Sequence, residues 1–114
     1  PVFYGHNDPE IILIGWGSTY GLLKESVDAL QADRSIAMLH FSEIYPLPLC
    51  TKFDWLHLLN RAQKTICIEN NATGQFARLL KTETGFVCSQ LITKYDGRPF
   101  LLDELLGEIN AKCR

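Results

Sequence analysis

Residues 64–85 constrain the fold of this chain more than any other stretch: Lys64-Thr65-Ile66-Cys67-Ile68-Glu69, then Asn70-Asn71-Ala72-Thr73-Gly74, then Gln75-Phe76-Ala77-Arg78-Leu79-Leu80 and on to Gly85. The first third is a short, β-branched apolar run of the kind that suits a buried strand. It breaks at two asparagines, which tolerate turn and left-handed conformations, so the strand stops at about Glu69. Thr73 is a good N-cap, Phe76, Leu79 and Leu80 follow helical spacing, and Gly85 sits where a C-cap glycine belongs. A strand, tight loop and helix in this order form a corner whose free backbone N–H groups favour a ligand or partner in doubly wound folds. The competing reading is a self-satisfied corner, in which Asn70 and Asn71 cap their own turn.

A chain of 114 residues is one domain, large enough to bury a self-sufficient core. Its net charge of −2, with basic residues scattered among acids, leaves no electrostatic footprint for nucleic acid. No apolar run approaches the ~20 residues of a membrane span, and the first residues lack a signal peptide's layout, so a soluble cytoplasmic domain is expected. Cys50, Cys67, Cys88 and Cys113 are far apart in sequence with no Cys-x-x-Cys pair. They read as reduced, metal-free and mutually distant thiols, with Cys67 packed in its strand. The chain begins at Pro1, which fits a processed chain or a piece of a longer one.

The flanking segments repeat the same alternation. Residues 1–10 read as a linker or an edge strand at Val2-Phe3-Tyr4, and the domain proper as 11–114. Ile11-Ile12-Leu13-Ile14 is a continuous apolar run, the pattern of a parallel strand buried on both faces. Gly15-Trp16-Gly17-Ser18-Thr19 is a glycine-rich turn in which Ser18 or Thr19 is placed to cap a helix with Tyr20, Leu23, Val27 and Leu30 on one face. A dinucleotide fingerprint starting at Gly15 would need its third glycine at residue 20, which is tyrosine, and there is no Walker lysine. Residues 36–41 form the next strand, with His40 read as a core or rim side chain rather than a catalyst. Thr51 and Asp54 resemble a weak capping box for a helix through Phe53, Leu56, Leu59 and Ala62, with Trp55 and His57 near its edges. Residues 90–95 form another strand, Asp96-Gly97-Arg98-Pro99 a turn, and Leu102, Leu105, Leu106 and Ile109 mark a last helix. Strands alternating with helices imply a mostly parallel sheet covered on both faces, with the loops after the strands gathered on one edge. The candidate ligand or partner residues there are Gly15, Trp16, Gly17, Ser18, Thr19, Tyr45, Asn70, Asn71, Thr73, Gly74, Gln75, Asp96, Gly97 and Arg98. No catalytic or metal-ligating set is apparent.

Three of these loops, Gly15-Trp16-Gly17-Ser18-Thr19-Tyr20-Gly21, Glu69 to Gln75 with Ala77-Arg78-Leu79-Leu80, and Lys94 to Phe100, resemble the C-terminal part of the α subunit of 2-oxoacid:ferredoxin oxidoreductases. The resemblance runs from about Pro1 to Ile109. It implies a transketolase C-terminal-like domain: a three-layer α/β/α sandwich with a mostly parallel five-stranded sheet and an antiparallel edge strand, for which Val2 to Tyr4 is the candidate. It further implies an enzyme that oxidatively decarboxylates 2-oxoacids with thiamine diphosphate, Mg²⁺, iron–sulfur clusters and coenzyme A. In such enzymes this domain is non-catalytic and holds no cofactor. The implied partners are the other domains of the α subunit, the β subunit and, indirectly, ferredoxin, with no nucleic acid and no membrane. Two other readings stand beside it: the same fold in a transketolase or a 2-oxoacid dehydrogenase β subunit, and a stand-alone flavodoxin-like module. A receiver domain is excluded, since its acids would follow the first buried strand, where Gly15-Trp16 stand. The family's last helix commonly opens after Thr-Pro; Leu101-Leu102 here imply a poorer cap.

Overall fold

The computed structural model describes residues 1–42, 46–71, 74–94 and 100–113. Strands β1 (Val2–Gly5), β2 (Ile11–Trp16), β3 (Ile36–Phe41), β4 (Lys64–Glu69) and β5 (Gln90–Thr93) alternate with helices α1 (Tyr20–Leu30), α2 (Trp55–Arg61), α3 (Gln75–Thr84) and α4 (Leu102–Lys112). The sheet order is β1-β3-β2-β4-β5. The β2–β3, β2–β4 and β4–β5 pairs are parallel, whereas β1 runs antiparallel against β3, Val2 facing His40 and Gly5 facing Ala37. Residues 2–5 are therefore the antiparallel edge strand.

The unbroken apolar runs belong to the inner strands. Every residue of β3 is buried, as is β2 from Ile11 to Gly15, because helices cover both faces of the sheet. On one face Leu13, Met38, Ile66 and Ile68 pack with Leu23, Val27 and Leu30 of α1 and Leu105 and Ile109 of α4. On the other, Ile12, Ile14, Leu39, Phe41 and Cys67 meet Trp55 and Leu59 of α2 and Phe76 and Leu80 of α3. Phe41 joins the two helices of that layer, its ring lying edge-on to Trp55 at 5.1 Å and to Phe76 at 4.8 Å.

Several local expectations change. Trp55 is not at a helix edge: it is 1% exposed and donates its indole N–H to the Pro48 carbonyl at 3.2 Å. Asp54 caps α2 through the His57 amide, and Phe53 lies before the helix and is exposed, so helical spacing overextended α2 by one turn. Neither Ser18 nor Thr19 caps α1. Residues 17–19 instead form a 3₁₀ turn, and the Thr19 hydroxyl donates back to the Trp16 carbonyl at 3.0 Å. Tyr20 is 40% exposed, its ring standing edge-on to His40. Helix α4 follows Leu101, which gives it no side-chain cap, as its sequence implied, and Asp103 and Glu104 in its first turn interact favourably with the helix dipole.

Candidate functional site

The connections from β2 and β4 diverge at the centre of the sheet. After β2 the chain enters α1 on one face and returns in β3; after β4 it enters α3 on the opposite face and continues to β5. The carboxyl ends of β2 and β4 therefore flank the switch point of the sheet, where open α/β folds leave a crevice. A recess of about 220 Å³ lies there, lined by Trp16, Gly17, Ser18, Thr19, Asn70, Asn71 and Gln75. Gly15 is buried beneath it, and a side chain at that position would collide with Leu23 and Thr19 at about 2.5 Å. Gly74 closes the second loop with φ +64°, the left-handed conformation that glycine adopts without strain. Tyr45, Thr73, Asp96, Gly97 and Arg98 lie outside the described residues.

Beneath the recess, Glu69 is completely buried at the end of β4. Its Oε1 accepts from the Phe76 amide at 2.6 Å, the Asn71 carboxamide at 3.0 Å and the Trp16 indole at 3.2 Å. Its Oε2 accepts from the Ala77 amide at 3.1 Å and, weakly, from the Cys67 thiol at 3.6 Å. Asn71 Oδ1 takes the Gln75 amide at 3.2 Å. The strand-end carboxylate thus caps α3 from seven residues upstream, its charge placed against the positive end of the helix dipole. Glu69 is the residue that sequence reasoning treated only as a strand terminus. The available signal was an acid closing an otherwise apolar run just before a helix with no acid in its first turn.

This arrangement decides between the two readings of the corner as far as the described amides go. The amides of Gln75, Phe76 and Ala77 already have partners from Asn71 and Glu69, so the corner caps itself with Glu69 in the place expected of Asn70. The described residues do not fit a diphosphate such as that of thiamine diphosphate: the cradle amides are filled by a carboxylate, and among the described residues no cation lines the recess. Among the described residues no three His, Cys, Asp or Glu side chains converge in a way that could hold a metal ion, and no helix is long and apolar enough to cross a membrane.

His40 lies under the same loop. Its Nε2 is 2.8 Å from the Gly17 carbonyl, which can only accept, so that nitrogen carries the proton. Burial pushes the imidazole below its ordinary pKa, and the bond to Gly17 only partly opposes this. His40 therefore acts as a neutral strut for the glycine-rich turn. Cys67 and Cys88, distant in sequence, are neighbours in space, contrary to the expectation of mutually distant thiols: paired Thr65–Ser89 hydrogen bonds align the start of β4 with the segment before β5. The adjacent Cys67 thiol lowers Cys88 to about 7, and the closeness of Cys88, with burial and the Glu69 carboxylate, holds Cys67 well above the usual range. All four cysteines are free thiols.

No family model matches the chain. It is 33% identical over 111 residues to 2-oxoacid:ferredoxin oxidoreductase 1, subunit alpha, of Aeropyrum pernix, an alignment covering 91% of this chain and 16% of that protein. It is 34% identical over 105 residues to the 2-oxoglutarate oxidoreductase subunit KorA of Mycobacterium tuberculosis, covering 91% of this chain and 15% of that one. The fold superposes on a 2-oxoglutarate:ferredoxin oxidoreductase from Magnetococcus marinus with a TM-score of 0.86 at 22% identity, across 99% of this chain and 19% of the other. The alpha chain of a probable 2-oxoacid ferredoxin oxidoreductase from Thermoplasma acidophilum matches with a TM-score of 0.65 at 29% identity, over 97% and 94% of the two chains. The chain thus spans about one sixth of the length of the curated relatives it matches. With nearly all of its length aligned to these subunits and its sheet superposed on theirs, it belongs to the 2-oxoacid:ferredoxin oxidoreductase α-subunit family, as one α/β domain of such a subunit.

Proposed function

We propose that this domain is a non-catalytic structural and docking element of a 2-oxoacid:ferredoxin oxidoreductase. In this reading thiamine diphosphate, Mg²⁺, the iron–sulfur clusters and coenzyme A are held elsewhere in the assembly. The domain presents its loop edge, residues 16–19 and 70–75, to the remainder of the α subunit or to the β subunit, in the cytoplasm. The observation that carries it is the buried Glu69 carboxylate filling the N-terminus of α3 at the switch point. That corner is spent on rigidifying two loops, which is what a docking face needs, since pre-ordered loops lose little entropy on association.

Ser18 tests the reading because it is exposed at the rim and its side chain bonds to nothing else among the described residues. Ser18→Arg in the full α subunit should weaken its association with the β subunit by about tenfold or more, the loss of a well-packed contact being worth at least ~1 kcal/mol. The same change in the isolated chain should move its stability by less than ~0.5 kcal/mol. Unchanged association would remove the docking role from this face.

A further inference from the structure

We propose that the recess between the Trp16 and Gln75 loops is a binding site for an uncharged, planar heterocycle of the nucleobase type. Three features of its lining lead there. The side chains of Ser18, Asn70 and Gln75 line the recess and have no hydrogen-bond partner among the described residues, so a hydroxyl and two carboxamides remain available. A carboxamide offers a donor and an acceptor side by side, the pattern that pairs with the adjacent donor and acceptor on the edge of a purine. The Trp16 indole also lines the recess, and its Nε1–H is already committed to Glu69, so what it offers a ligand is aromatic surface, against which a heterocycle stacks.

Size and charge narrow the class. About 220 Å³ is below the ~300 Å³ at which pockets for drug-sized ligands begin, so one ring system fits and a whole nucleotide does not. Among the described residues no cation lines the recess, and the α3 amides that would grip a phosphate are bonded to Glu69 and Asn71. Recognition therefore falls on the base, and a phosphate adds nothing. Position supports the assignment: the recess occupies the switch point of the sheet, and β2, β4 and the Glu69 bonds fix both of its walls before any ligand arrives.

The test is a titration of the 114-residue chain, uniformly ¹⁵N-labelled, with adenosine, AMP and ribose in turn. Adenosine should shift the Trp16 indole N–H and the Asn70 and Gln75 carboxamide signals saturably, AMP should bind no tighter than adenosine, and ribose should leave them in place. The double variant Asn70→Ala, Gln75→Ala changes two exposed side chains and should weaken adenosine by about tenfold, the value of two modest hydrogen bonds. Three results would overturn the proposal: no movement of these signals with adenosine, tighter binding of AMP, or the same shifts with ribose. Adenosine binding is read on the isolated parent chain and subunit association on the Ser18→Arg subunit without ligand, so the failure of either reading is seen separately from the other.

Discussion

Trp16 and Glu69, 53 residues apart in sequence, meet through a 3.2 Å hydrogen bond from the indole N–H to the buried carboxylate. The bond ties the glycine-rich turn after β2 to the end of β4, so two loops that are otherwise independent share one anchor. Trp16→Phe keeps most of the ring and leaves the carboxylate one donor short. It should cost about 1 kcal/mol of stability in denaturant melts. Glu69→Ala should cost about 3 kcal/mol or more, because the Phe76 and Ala77 amides and the Trp16 indole all lose their acceptor. Equal losses for the two variants would show that Glu69 does not act as the common anchor.

Gly74 is tightly placed as well as left-handed. A Cβ added there would come within 2.8 Å of Leu91 Cδ2. Gly74→Ala should destabilise by about 1–2 kcal/mol from backbone strain and crowding together. Adding Leu91→Ala, at a position already 40% exposed, relieves only the crowding. A double-mutant cycle should then show favourable coupling, and strict additivity would mean that the cost is backbone strain alone.

Cys88 should be the most reactive of the four thiols at neutral pH, since its pKa is lowered to about 7. Its alkylation rate by iodoacetamide should rise with a midpoint near that pH, while the fully buried Cys67 stays protected until the chain unfolds. Cys67→Ala removes the neighbouring thiol that lowers Cys88, so the midpoint should move upward. A midpoint unmoved by that variant would assign the lowered value to the backbone around Cys88 instead.

His40 makes stability depend on pH. Burial lowers its pKa in the folded chain, so the folded state takes up a proton less readily than the unfolded state, whose value is about 6.5. Its contribution is complete above about pH 6.5 and is lost as pH falls below that value toward the folded pKa. Urea midpoints measured between pH 7.5 and 5.5 should fall for the parent chain and stay flatter for His40→Gln. Parallel slopes for the two proteins would place the pH dependence on other groups.

The apolar runs 11–14, 36–41 and 66–68, with glycines after the first and asparagines after the last, were sufficient to read the α/β alternation, the buried strands and the loop edge at which Trp16 and Asn70 meet. Such signals are local: a strand buried on both faces must be apolar throughout, and a helix packed on a sheet must repeat its apolar residues at helical spacing. The sequence by itself also carried the family resemblance, since its loop motifs are contiguous strings. Tertiary structure alone decided what those loops do to one another. Glu69 became a helix cap only because β4 ends beside α3 and beneath the β2 turn, and Cys67 met Cys88 only because β4 and β5 pair in one register. Trp55 entered the core through the fold of the Pro48 segment, which no helical period records. A buried carboxylate is tolerable only where several donors converge, and convergence across 53 residues is a property of the folded sheet that residue spacing does not carry.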